Sequence, residues 1–136
     1  MTEHLIKAIR DKGDPKLLSP LVLAYIGDAV FELYVRLGLI PNVSKVQRLH
    51  KQAIQYVRAQ SQADILKSWE PLLSEEEEAI VRRGRNAKSA VPKSADMITY
   101  RRSTAMEALI GYLYVSGQEQ RLWELLNMGV CFDQNR

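Results

Sequence analysis

Apolar residues in this 136-residue chain recur mostly three and four positions apart, the spacing that lines one side of a helix, and few runs alternate as strands do. A first short helix is expected over about residues 2–12. Ser19-Pro20 supplies an N-cap and a proline at the first helical position. The apolar pattern then runs to Leu37, where Gly38 is expected to stop it. Pro41-Asn42 makes a turn. Ser44 is expected to cap a second helix, KVQRLHKQAIQYV, and helical pattern continues to about Trp69 after a break near residues 58–61. Ser74 and Glu77 have capping-box spacing. The SEEEE run at 74–78 is therefore a helix start, its acids suiting the positive end of the dipole, rather than a metal cluster. Gly84 is expected to end that helix, and GRNAKSAVPKSAD, aperiodic and with a proline, to form a loop. A long helix follows over about 96–116, closed by Gly117, and a last one over about 119–128. Residues 129–136 are expected to fray. No repeat, low-complexity tract or domain boundary intervenes. The expectation is an all-α helical bundle, one domain over 1–136.

Two of these helices each carry an anomaly. Turning residues 20–37 through 100° per residue puts Asp28, Glu32 and Arg36 in one narrow sector beside Tyr25, with apolar residues in almost every other direction. Such a helix is expected to be buried on several sides, one of them against a partner subunit, with Ile26, Val30 and Phe31 as candidate interface residues. Asp28 then sits among core residues. A buried, unpaired carboxylate costs several kcal/mol or takes up a proton, so it needs a cation, strong donors or a metal. In TYRRSTAMEALIGYLYVSG, Glu107 is likewise a lone acid on an apolar helix, and Gly111 one turn on permits close approach of another backbone. Two such carboxylates meeting across a helix–helix contact suit a hard divalent ion, since Mg²⁺ needs only one or two carboxylates and keeps several waters. Pairing of each acid with an arginine is the structural alternative.

Charge and composition narrow the setting. Formal net charge is +3, with 19 Lys+Arg against 16 Asp+Glu, which by itself says little about partners. Its distribution says more: Arg82, Arg83, Arg85, Lys88, Lys93, Arg101 and Arg102 face only Asp96 across residues 82–102. A locally basic segment in a nearly neutral chain fits a polyanion contact, or else a solvated face. Lys45, Arg48 and Lys51, three residues apart on one helix, pose the same alternative. The single cysteine, Cys131, excludes an internal disulfide framework and favours a reducing, cytoplasmic setting. The polar N-terminus is no secretory signal, and no apolar stretch is long enough to span a bilayer. His4 is terminal and His50 lies in a basic helix, so no histidine pair or nucleophilic cysteine competes with the two acids.

LAYIGDAVFELYVR, residues 23–36, resembles the ribonuclease III motif, usually of the form ERLEFLGDAVL. STAMEALIGYLYVSG resembles that family's second acidic motif, D-x-x-E-A-L-I-G-A-L-Y. Order and separation agree. RRGRNAKS and TYRRSTAMEALIGYLY, with no double-stranded RNA-binding domain, point to the small Mini-III subfamily. The resemblance implies catalytic and metal-binding roles for Asp28 and Glu107. It also implies Mg²⁺, with Mn²⁺ as the other candidate, and a homodimer with one site per subunit cutting double-stranded RNA to leave 5′-phosphate and 3′-hydroxyl ends. The implied substrate is precursor of large-subunit (23S) ribosomal RNA. This sequence departs from the pattern. The two glutamates of ERLE fall at Leu21 and Ala24, and the aspartate of the second motif falls at Thr104. Thr104 holds a metal-bound water or fills space; Glu32 compensates for a lost acid or pairs with Arg36. For A-form RNA, read through phosphates and 2′-hydroxyls, the candidate contacts are Arg82, Arg83, Arg85, Asn86, Lys88, Lys93, Lys45, Arg48 and Lys51. A catalytically inactive RNA-binding module and a helical interaction protein are the alternatives.

Overall fold

The computed structural model describes residues 2–93 and 95–132, all turns and helices with no strand among them. Seven α-helices follow in order: α1 (Glu3–Asp11), α2 (Pro20–Leu39), α3 (Val46–Val57), α4 (Ala59–Trp69), α5 (Glu75–Asn86), α6 (Met97–Val115) and α7 (Glu119–Gly129). The all-α expectation holds, with most element ends within a residue or two of the sequence reading.

α6 is the axis of the fold. It packs most extensively on α2, then on α5 and α4, and from Ser103 to Val115 only Glu107 and Tyr114 are not fully buried. Encircling neighbours explain why its sequence is apolar nearly all round. Leu23, Phe31 and Val35 of α2, Leu66 and Trp69 of α4, Ile80 of α5, and Leu122 and Leu125 of α7 close the core around it.

Local signals fix the ends. Ser19 Oγ accepts from Leu21 N–H at the start of α2, and Asp96 caps α6 by accepting from Ile98 N–H and the Thr99 hydroxyl. The capping box forms as expected, Ser74 N–H donating to Glu77 at 2.9 Å and Glu77 N–H to the Ser74 hydroxyl at 3.2 Å. Glu77 does more than cap. It is buried, and Arg121 of α7 grips both its oxygens at 2.9 Å while also donating to the Leu72 carbonyl. The guanidinium beside Glu77 holds its carboxyl below the usual carboxylate range. Gly117, at φ +78, closes α6 as expected.

Several expectations fail for identifiable reasons. Gly38 and Gly84 do not end helices; both lie inside them. A Cβ on Gly38 would meet the Phe132 ring at 2.2 Å, and one on Gly84 the Ala105 Cα at 2.8 Å, so both glycines serve close packing. Ser44 does not cap α3, whose N-cap is Lys45 without a side-chain hydrogen bond. Residues 129–132 are not frayed. Gly129 completes α7, Val130 is buried, and Phe132 packs between Tyr34 and Tyr56; residues 133–136 of the expected tail lie outside the described residues. Phe31 is fully buried within its own chain and cannot be an interface residue in this fold.

Candidate active site

The site is made by the crossing of α2 and α6, where the two backbones touch. A Cβ on Gly27 would lie 1.7 Å from the Glu107 carbonyl oxygen, and one on Gly111 would lie 1.8 Å from the Leu23 carbonyl oxygen. Only glycine fits at either position, so a pair of glycines sets the helix separation. Asp28 follows Gly27, and Glu107 lies one turn before Gly111. The contact that requires the glycines therefore brings the carboxylates together, close enough for a side-chain hydrogen bond between them.

Their environments differ, and this corrects the sequence reading. Asp28 is exposed, while Glu107 is half-buried, the more enclosed of the two. α2 is apolar in most directions not because core surrounds it, but because it also presents Val22, Tyr25, Leu33 and Leu37 to solvent. Burial first, and then the charge and hydrogen bond of Asp28, push the Glu107 carboxyl up to about 8. Near neutral pH the metal-free site therefore keeps the Glu107 carboxyl protonated beside Asp28. Among the described residues no arginine neutralises either acid in the way that Arg121 holds Glu77.

A third side chain enters from α4 and was missed in the sequence. Gln62 is 3% exposed, and its amide lies beside the Glu107 carboxyl, opposing the upward shift. Its only sequence signal was a glutamine on the otherwise apolar side of α4. The other polar candidates are engaged elsewhere. Thr104 donates to the Tyr100 carbonyl at 3.1 Å, as Ser103 does at 2.7 Å. Glu32 pairs with Arg36 one turn on, at 3.5 Å and in solvent.

The donor set is all oxygen, open to solvent on the Asp28 side and closed on the Glu107 side. It fits a hard divalent ion, which takes one or two carboxylates and completes its shell with water or phosphate oxygens. No group of three or more His, Cys, Asp or Glu is gathered among the described residues, so a site enclosed wholly by protein is not built here.

The ribonuclease III domain family model matches residues 21–118, a span that contains both carboxylates and both crossing glycines. The chain belongs to the ribonuclease III family. Among its relatives, the Mini-ribonuclease 3 of Brevibacillus brevis is 52% identical over 115 residues, covering 83% of this chain and 86% of that protein. The Mini-ribonuclease 3 of Symbiobacterium thermophilum is 49% identical over 122 residues, covering 88% and 94%. A crystal structure of a Fusobacterium nucleatum protein superposes with a TM-score of 0.76 at 32% identity, covering 82% of this chain and 91% of that one. The chain is thus an endoribonuclease of the ribonuclease III type, and it shares the Mini-III group's sequence over most of its length.

The basic residues divide in this ribonuclease III fold. Arg85 and Asn86, at the end of α5, line a depression of about 190 Å³ with Ile98, Arg101 and Arg102 of α6. The last two were not among the expected RNA contacts. Arg82 shares a second depression with Arg85, but Glu70 and Glu78 also line it. Arg83 is engaged within the fold instead: its guanidinium donates to the Lys16 and Leu18 carbonyls and ties α5 to the segment before α2. Lys88 and Lys93 are exposed in the loop before α6, and Lys45, Arg48 and Lys51 are exposed at α3. His50 borders a groove between α2 and α3 with Arg36, Ile40 and Leu49. No helix is long and apolar enough to cross a membrane among the described residues.

Proposed function

We propose that this chain is a cytoplasmic, homodimeric endoribonuclease that cuts double-stranded RNA with a divalent cation held by Asp28 and Glu107, Mg²⁺ first and Mn²⁺ as a substitute. Its proposed substrate is precursor of large-subunit ribosomal RNA, as the kinship with Mini-III implies. One observation carries the metal reading: two carboxylates from different helices meet at a glycine crossing, with no basic side chain among the described residues paired to either. When bound, the cation would lower the pKa of a water, orient it on the scissile phosphate and neutralise charge developing on the phosphate oxygens, leaving 5′-phosphate and 3′-hydroxyl ends.

The protein's own groups divide the remaining work. Glu107 gives up its proton on loading and supplies a ligand from the buried side. Asp28, on the exposed side, supplies the second carboxylate where a phosphate can approach. Arg85, Asn86, Arg101 and Arg102 offer planar and amide donors to RNA phosphates, arginine being able to bond two oxygens at once. Lys88, Lys93, Lys45, Arg48 and Lys51 supply point charge.

The test is incubation of a duplex RNA with the wild type and with Glu107→Gln, with and without Mg²⁺. Cleavage only by the wild type and only with metal is expected. A mobility shift without cleavage by the wild type would instead favour the inactive RNA-binding module.

A further inference from the structure

We infer that Gln62 is a positioning residue for the metal site, fixing the rotamer of Glu107 from the opposite helix so that this carboxylate is aimed at the cation beside Asp28. The inference rests on the reading that Asp28 and Glu107 hold a divalent ion, and it goes beyond that reading by assigning a residue on a third helix to the site.

The geometry supports it in three ways. Gln62 is 3% exposed on the face of α4 that packs on α6, and a buried amide demands partners. The Gln62 amide lies beside the Glu107 carboxyl, where it favours the charged form. Glu107 also has three rotatable side-chain bonds, while the glycine crossing fixes only its backbone. Without an outside donor its carboxyl group is free to turn toward or away from Asp28. A neutral amide suits this position better than an arginine or lysine: it orients a carboxylate by hydrogen bonding without adding a positive charge that would repel the cation. Such outer partners of ligating groups commonly affect metal affinity by about 10–100-fold.

The neighbouring polar groups do not duplicate this role. Thr104 and Ser103 donate to their own helix, and Gln60, two residues before Gln62, donates to Asp64 in solvent.

Calorimetric titration of Mn²⁺ into the RNA-free protein tests the assignment, because it reads the site without cleavage. Gln62→Met keeps the volume and removes the donor; Gln62→Asn keeps the amide but shortens its reach by one methylene. Both are expected to bind Mn²⁺ at least about tenfold more weakly than the wild type while melting within a few degrees of it. In cleavage assays, saturating Mn²⁺ is expected to restore most of the rate. Wild-type Mn²⁺ affinity in either folded variant would overturn the role of Gln62 and leave the metal reading intact. Failure of both variants to fold would make Gln62 a core residue and also overturn it. A wild-type protein that binds no Mn²⁺ would instead refute the metal site itself.

Discussion

Glu107 is the most perturbed acid described in the molecule, and its chemistry gives two predictions. Its carboxyl is raised from an ordinary 4.5 to about 8, by burial first and Asp28 second. Between those values the folded, metal-free protein holds a proton that the unfolded chain has lost, so stability falls as pH rises from about 4.5 to about 8. The whole effect is at most about 5 kcal/mol. Glu107→Gln is expected to flatten this slope, so that in metal-free melts the variant gains on the wild type with rising pH; parallel curves would refute the shift. The same proton must leave when metal binds, so Mn²⁺ affinity is expected to tighten from pH 6 to pH 8 in the wild type. A pH-independent affinity would mean that Glu107 is not a ligand. The two acids were legible in the sequence because each interrupts an apolar helix. Which of them is the more enclosed was not legible, since an exposed apolar stripe and a core-facing one have the same composition. Gln62 was not legible either: one glutamine in a helix says nothing until its partner on another helix is known.

Among the elements, the crossing of α2 and α6 controls the distance between the acids. Gly27→Ala and Gly111→Ala each drive a Cβ into the other helix's backbone, and backbone cannot turn aside as a side chain does. Each is expected to cost about 3 kcal/mol or more and to reduce cleavage further by parting the carboxylates. Gly38→Ala meets only the ring of Phe132, so a smaller loss is expected with cleavage retained. Denaturant unfolding of the three variants checks the order, and equal losses would show that the crossing is not uniquely tight. The role of Gly111 was readable because it lies inside a strong helical pattern. Gly38 and Gly84 were misread as stops because a terminating glycine and a packing glycine look alike in one dimension. What distinguishes them is Phe132 in one case and Ala105 in the other, each distant in sequence. Arg83 was misread similarly, since its charge suggested RNA while its geometry serves two backbone carbonyls.

At the scale of the whole molecule, two surfaces remain to be assigned partners. On α2, Val22, Leu33 and Leu37 share one side of the helix with half-buried Ile26 and Val30, and all three are about half exposed. An apolar stripe of this kind on a small domain marks an association surface, and the proposed homodimer would cover it, with Ile26 and Val30 retained as contacts. Leu33→Glu with Leu37→Glu is expected to sediment as a folded monomer where the wild type sediments as a dimer at micromolar concentration. A wild-type monomer that still cuts both strands would count against the homodimer. The second surface is basic. The ribonuclease III domain spans residues 21–118 and carries basic residues of its own that can meet phosphate. The depression between α5 and α6 gathers three arginines and an asparagine at the end of the helix that carries Glu107. In the Glu107→Gln background, which binds without cutting, Arg85→Ala with Lys88→Ala is expected to weaken duplex RNA binding regardless of sequence. It should also reduce the slope of log affinity against log salt by roughly one to two. Arg83→Ala is the contrasting control: it should lower the melting temperature by releasing the Lys16 and Leu18 carbonyls and leave the salt slope unchanged. If the slope of the Arg85 and Lys88 variant also stays unchanged, the basic depression does not touch phosphate, and the contact passes to Lys45, Arg48 and Lys51 on α3.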